Sequence, residues 1–271
     1  MPELPEVETV LRGIRPILIK KTVEKIIVRQ PKLRWPIPAK LASYLKHQVL
    51  RDVFRRGKYL LFQFDTGILL IHLGMSGRLC VLAQPCSAKK HDHMDIIFSN
   101  NIHLRYTDPR KFGAILWIKN NWQAHPLLAH LGIEPLLKSF TGKYLWEKAQ
   151  GRKVSIKTFL MNAHIVTGIG NIYATESLFE AGILPQTPAG KLSLSNYNKL
   201  AKACKKVLRK AILKGGTTLK DYRQSDGTQG HFHLDIQIYG KAKQPCPRCK
   251  TILKTDRIGQ RSSVYCPKCQ R

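Results

Sequence analysis

Residues 58–73 read KYLLFQFDTGILLIHL, two short apolar runs with Asp65-Thr66-Gly67 between them. Runs of branched and aromatic side chains on either side of a glycine-bearing turn predict a β-hairpin. The pattern recurs outward from this stretch: VEKIIV at 23–28, MDIIFS then NN then IHLRY at 94–106, and AILWI at 114–118. Hairpins so spaced between Val23 and Ile118 predict a sandwich or barrel. Ahead of them, Glu6 to Ile14 puts Val7, Val10, Leu11 and Ile14 on one helical stripe, with Pro5 in a first turn that has no use for its missing N–H. After Trp117 the pattern loosens through NNWQAHPLLAHLGIEPLL (120–137), whose prolines suggest a hinge between domains. From Lys153 the periods become helical in SIKTFLMNAHIV (155–166), IYATESLFEAGI (172–183) and LSNYNKLAKACKKVLRKAILK (194–214), the last closed by Gly215-Gly216 as a C-cap.

The 271 residues suffice for one large domain or two ordinary ones, and a hydrophobic share of 43% excludes a disordered chain. Lysine and arginine number 46 against 17 acids, a formal charge of +29 spread along the chain. Such a surplus seeks a polyanion, either nucleic acid or an acidic membrane surface, and basic structural proteins share it. The first ten residues lack the basic start and apolar run of a signal peptide, and no stretch approaches the length of a membrane span. The expectation is a cytoplasmic protein.

Of seven cysteines, Cys80, Cys86 and Cys204 stand apart, whereas CPRC and CPKC pair Cys246 with Cys249 and Cys266 with Cys269. Two C-x2-C knuckles turn four thiolates toward one point, which predicts zinc over disulfides in a reducing compartment. Four cysteine ligands fill the coordination sphere, so the metal is structural. Between the knuckles, TILKTDRIGQRSSVY predicts two short strands with a turn near Gly259, its tip carrying Arg257 and Arg261.

The chain opens MPELPEVETV, with two prolines and three glutamates among its first eight residues. A second residue as small as proline permits removal of Met1, which would leave Pro2 as a secondary amine beside a helix N-terminus. The positive helix end disfavours the protonated amine. A partly neutral amine near pH 7 is what imine-forming enzymes require. Glu3 and Glu6 lie within reach of it, one to shuttle protons and one to orient. Plain helix capping by acids is the competing reading.

Taken in order, MPELPEVET, RRGKYLL, HLGMSGRL, TDPRKFG, GIGNIYATESLF and the terminal ribbon ending in CPKCQ resemble the formamidopyrimidine-DNA glycosylase family, bacterial 8-oxoguanine glycosylases that also nick abasic sites. The resemblance implies an α+β multidomain fold: an N-terminal β-sandwich with flanking helices, a helical domain with a helix-two-turn-helix, and a terminal zinc ribbon hairpin. Its boundaries would be 1–132 for the catalytic domain, 133–150 for a hinge, 151–225 for the helical domain and 226–271 for the rest, with the ribbon core at 237–271.

The resemblance also implies roles. Pro2 would attack C1′ of the damaged nucleotide, Glu3 would be the general acid, and Glu6 would hold the hydrogen-bond network. Lys58, expected on a hairpin strand, would donate the proton in β-elimination. Arg261 would serve δ-elimination and grip the flanking phosphates. Met75, Arg110 and Phe112 would fill the void left by the flipped base, Arg110 also donating to the orphaned cytosine. His72, His91, Arg110, Arg152, Asn171 and Tyr239 would contact DNA, helped by the N–H groups of the helix after GIGN. The stretch TTLKDYRQSDGTQGHF (217–232) would close over the flipped base. The partner implied is damaged double-stranded DNA, bound by a monomer with one structural Zn2+ and with neither membrane nor small-molecule cofactor. A zinc-ribbon DNA-binding protein without catalysis, and an oxidised-pyrimidine glycosylase of the endonuclease VIII type, are the two alternatives.

Overall fold

The computed structural model of the chain describes residues 2–82, 84, 86–215 and 236–271. Its contacts gather into two units, the first running through Ala129 and the second containing His130–Lys214 and the C-terminal segment.

The first unit opens with helix α1 (Leu4–Leu18) and continues through β1 (Val23–Val28), the short α2 (Leu41–Leu45), β2 (Asp52–Arg56), β3 (Tyr59–Phe64), β4 (Gly67–His72), β5 (Arg78–Leu82), β6 (Asp92–Phe98), β7 (Ile102–Thr107) and β8 (Ala114–Ile118). The strands form two four-stranded antiparallel sheets, β1-β6-β7-β5 and β2-β3-β4-β8. Alternation decides which side chains meet between them. Leu60, Phe62 and Phe64 of β3 and Leu69 and Ile71 of β4 share one core with Met94, Ile96 and Phe98 of β6 and Leu104 and Tyr106 of β7. Val7, Val10, Leu11, Ile14 and Leu18 drive α1 into that core, each fully buried apolar side chain contributing about 1.5–3 kcal/mol. The terminus of the chain is therefore carried on a rigid element.

The hairpin at 58–73 pairs Tyr59 with His72 and Phe64 with Gly67. Gly67 takes φ +157° where a Cβ would overlap the backbone of Ile118 and the ring of Trp117. Two strands lie outside the apolar runs read from the sequence: β2, DVFRR, and β5, RLCVL. Because β2 pairs with β3, Lys58 sits not on a strand but in the tight turn Gly57-Lys58 between them, which Gly57 enables with φ +58°.

The second unit contains α3 (Gly142–Ala149), α4 (Ile156–Leu160), α5 (Asn171–Ala181), α6 (Leu194–Leu213) and the hairpin β9 (Lys254–Ile258) and β10 (Arg261–Tyr265). Segment 133–150, expected as a hinge, belongs to this unit and carries α3, N-capped by Thr141. The helix expected over 155–166 is reduced to α4, since Asn162 Oδ1 accepts from His164 N and draws the backbone into a local turn. Gly215, at φ +79°, follows α6 in the left-handed conformation expected of a C-cap region, while Gly216 and the 217–232 stretch lie outside the described residues. Among the described residues, no helix is long and apolar enough to cross a membrane.

Candidate functional site

At the start of α1 the two glutamates cap each other. Glu6 Oε2 accepts the Glu3 N–H at 2.8 Å, and the Glu3 side chain accepts the Glu6 N–H, a reciprocal box that satisfies donors at the positive helix end. Pro2, Glu3 and Glu6 are all buried. The amide joined directly to Pro2 is thus held by one carboxylate, while a second stands at the same helix end. Capping and catalytic readings of these acids are compatible, since both need this geometry.

One turn further on, Glu8 accepts from Arg12 at 2.9 Å and from Arg55 at 3.0 Å. Burial opposes ionisation of Glu8, but the hydrogen bonds and charges of Arg55 and Arg12 outweigh it and hold the carboxyl below the usual range. Arg55 also donates from Nη1 to Gly57 O at 2.9 Å. One guanidinium therefore ties the turn that bears Lys58 to the helix that follows Pro2.

His72 ends β4 with its ring 4.8 Å from that of Tyr59. Burial first, and then the positive charges of Lys58 and Arg34, push its pKa down to about 4. Its Nδ1 accepts from Gly74 N at 3.1 Å, which assigns the proton of the neutral ring to Nε2. The structure thus brings Lys58 and His72 together and adds Arg34, which the sequence reading had not singled out. Met75 is half-buried in the following turn, whereas Arg110 and Phe112 are exposed, the guanidinium carbon 4.8 Å from the Phe112 ring centre. His91, half-buried, lies beside the buried His93, their rings 6.4 Å apart.

In the second unit, Arg152 and Arg261 line one open cleft of about 320 Å³ together with Thr158, Asn162 and Gly259. The ribbon tip Gly259-Gln260 takes φ of +52° and +60°, the two-residue hairpin turn that the sequence predicts near Gly259. Arg261 opens β10 and is exposed, and Arg257 donates to Gln260 Oε1 at 2.7 Å. Asn171, the first residue of α5, donates to Ser262 O at 3.3 Å, while its own buried Oδ1 has no partner among the described residues. Lys157 of α4, only 1% exposed, reaches the same strand, donating to Ser263 Oγ at 2.6 Å and to Ser262 O at 3.2 Å. Tyr239 is reached through its backbone: Glu176 of α5 accepts from the N–H groups of Gln237, Ile238 and Tyr239 at 2.8–2.9 Å. Like Arg34, Lys157, Glu176 and Arg55 are residues that the sequence reading missed.

The sulfurs of Cys246, Cys249, Cys266 and Cys269 all lie within 4.8 Å of one another, with Cys249–Cys266 at 3.4 Å and Cys246–Cys269 at 4.0 Å. Tetrahedral zinc bound at about 2.3 Å spaces its sulfurs about 3.8 Å apart, so the four residues fit the ion. Cys246 and Cys266 share a small apolar core with Phe179, Ile238, Leu253 and Val264, by which the ribbon docks on α5.

Most of the acids are occupied internally. Asp95 and Asp92 pair with Arg105, Asp52 with Arg15, Asp65 with Arg51, and Glu180 with Lys206 and Arg248. The surplus of cations is left to meet an external polyanion.

Three family profiles match along the chain in order. The one described as Formamidopyrimidine-DNA glycosylase N-terminal domain covers residues 1–115, Formamidopyrimidine-DNA glycosylase H2TH domain covers 131–223, and Zinc finger found in FPG and IleRS covers 243–271. A formamidopyrimidine-DNA glycosylase of Psychromonas ingrahamii is 52% identical, with 100% of both chains covered. Among solved structures, a Lactococcus lactis FPG mutant in complex with Fapy-dG containing DNA gives a TM-score of 0.91 at 32% identity over 100% of both chains. Lactococcus lactis Fpg with an abasic site containing DNA gives 0.90 at 31% over 99% of each.

Proposed function

The chain belongs to the formamidopyrimidine-DNA glycosylase family, and from that premise we propose that it excises oxidised purines, 8-oxoguanine opposite cytosine and formamidopyrimidines, from duplex DNA and then cleaves the abasic strand. The observation that carries the catalytic reading is the reciprocal Glu3–Glu6 cap, which fixes the backbone directly after Pro2. With Met1 removed, the Pro2 amine attacks C1′. The N-glycosidic bond breaks, the base leaves with a proton supplied through Glu3, and an iminium joins Pro2 to the opened sugar. Lys58, in the turn tied to α1 by Arg55, manages the proton of β-elimination, and Arg261 assists δ-elimination, leaving a one-nucleotide gap.

Binding draws on both units. Neutral His72 offers its Nε2–H to a phosphate, and the side chains of Arg152, Arg261, Asn171 and Tyr239 donate to others, with His91 as a further contact. Met75, Arg110 and Phe112 enter the stack as the damaged base leaves it. The solved relatives hold DNA containing Fapy-dG in one case and an abasic site in the other, the substrate and the intermediate of such a sequence of steps. Zinc, when bound to the four cysteines, supplies a structural cross-link that holds the hairpin bearing Arg261. The amine, acids and cations that the reaction needs are all carried by one chain, which supports a monomer acting without a small-molecule cofactor.

Incision of duplexes carrying 8-oxoguanine opposite cytosine, formamidopyrimidine, dihydrouracil or thymine glycol tests the reading. Preferential cutting at the two purine lesions is expected. Preference for the pyrimidine lesions would favour the endonuclease VIII type, and tight binding without incision would favour a non-catalytic zinc-ribbon protein.

A further inference from the structure

We propose that Asp108 is a positioning residue whose carboxylate locks the two turns carrying Met75, Arg110 and Phe112 into one rigid wedge. The proposal rests on the reading of those three side chains as void-fillers. Asp108 is 0% exposed and its carboxylate accepts from both turns. Oδ1 takes Ser76 Oγ at 2.6 Å and Arg110 N at 3.3 Å; Oδ2 takes Gly113 N at 2.9 Å and the Tyr106 hydroxyl at 3.1 Å. Ser76 Oγ in turn accepts from Arg110 N at 3.2 Å, so the residue after Met75 meets the backbone of Arg110 directly.

The carboxylate has little freedom to swing away, because its own backbone is pinned. Asp108 N donates to His91 O at 3.0 Å, and Asp108 O accepts from His93 Nε2 at 2.7 Å and from Lys111 N at 3.2 Å. The two turns are also packed backbone on backbone. A Cβ on Gly74, which takes φ +62°, would overlap Phe112 and Gly113, and one on Gly113 would overlap the Tyr106 hydroxyl and crowd His72 O. Only an ionised carboxylate accepts on both oxygens with no donor of its own. A carboxamide in the same place turns an NH2 toward at least one of these donors.

The consequence is specific. A wedge that unstacks bases must transmit force between its apolar tips and the guanidinium that reads the opposite base. With the strut gone, Arg110 no longer keeps a set position relative to Met75, and discrimination of the opposite base falls before chemistry does.

The test compares wild type, Asp108→Asn and Ser76→Ala by kcat/KM for 8-oxoguanine opposite cytosine and opposite adenine. Incision of a preformed abasic site in single-stranded DNA, which has no partner strand to hold apart, is the control. Asp108→Asn is expected to reduce the cytosine-over-adenine preference about tenfold, the worth of one charge-assisted hydrogen bond, with single-strand incision within about twofold of wild type. Ser76→Ala, which leaves the Tyr106 and Gly113 contacts in place, should shift the preference in the same direction by about threefold and carries the test if Asp108→Asn fails to fold. An unchanged preference in both variants overturns the proposal, as does an equal loss on every substrate including the single strand. Phe112→Ala separates the two levels: if it leaves duplex excision by the wild-type background untouched, the wedge reading itself is wrong and the strut falls with it.

Discussion

Glu176→Gln asks how the segment that leads to the ribbon is held. Glu176 is 5% exposed on α5 and accepts three backbone donors: Gln237 N at 2.8 Å on Oε2, and Ile238 N at 2.9 Å and Tyr239 N at 2.8 Å on Oε1. Glutamine fills the same volume but can offer only one oxygen. Oriented to keep the bonds to Ile238 and Tyr239, it points its NH2 at the Gln237 N–H, losing one charge-assisted bond and leaving a donor unpaired. That costs about 1.5–3 kcal/mol. If the loss falls wholly on the segment's docked state, affinity for an abasic-site duplex drops roughly 10- to 150-fold. The assay is fluorescence anisotropy at fixed salt, since affinities measured at different ionic strengths are not comparable. The main thermal transition should move little, because a terminal segment can detach locally while the rest stays folded. Unchanged affinity in Glu176→Gln would refute the claim that this carboxylate organises a DNA-binding surface.

Three other outcomes are expected. His72 is half-buried and neutral with its pKa near 4 instead of 6.5, so between those values the unfolded chain binds a proton that the folded chain refuses. Its contribution is complete above pH 6.5 and is lost as pH falls to 4, about 3 kcal/mol in all; chemical denaturation across this range should show an acid slope in wild type that His72→Gln lacks. Cys249→Ser should release zinc in a metal-binding assay and weaken duplex binding through loss of the Arg261 hairpin, and unchanged affinity with zinc gone would contradict the ribbon's role. Arg55→Met removes the tie between Glu8 and Gly57, with a stability cost of about 1–3 kcal/mol. It should slow β-elimination at a preformed abasic site, and wild-type lyase rates in a variant of lowered melting temperature would contradict the positioning of Lys58.

Elements built on local signals were legible in the sequence. VEKIIV and AILWI are β1 and β8 at the residues read, because several branched side chains in a row leave little choice, and Gly259 marks the ribbon turn. The four cysteines meet as their spacing predicts. What escaped depends on partners distant in the chain. DVFRR has too few apolar residues to declare a strand, yet it lies between α1 and β3, with Val53 buried and Arg15 reaching Asp52. Lys58 moved from strand to turn for the same reason, since a hairpin cannot be centred until its other arm is known. The helix after Ser155 stops early because Asn162 competes for the backbone, a choice that helical periodicity does not register. Lys157 reads as one more surface lysine among many; only the fold buries it beneath a ribbon strand more than a hundred residues on. The acids whose roles escaped the sequence, Asp108, Glu176 and Glu8, are few among many cations, and those roles follow from what the fold packs around them.

The central claim is that Pro2 is the nucleophile, and borohydride trapping tests it most directly. The purified protein is incubated with a duplex bearing 8-oxoguanine opposite cytosine, reduced, digested and mapped by mass. The account predicts a covalent adduct on the peptide beginning at Pro2, absent when Met1 is retained or Pro2 is acetylated although the duplex still binds. An adduct on Lys58 or another lysine, or base release by the blocked protein at the wild-type rate, would contradict it.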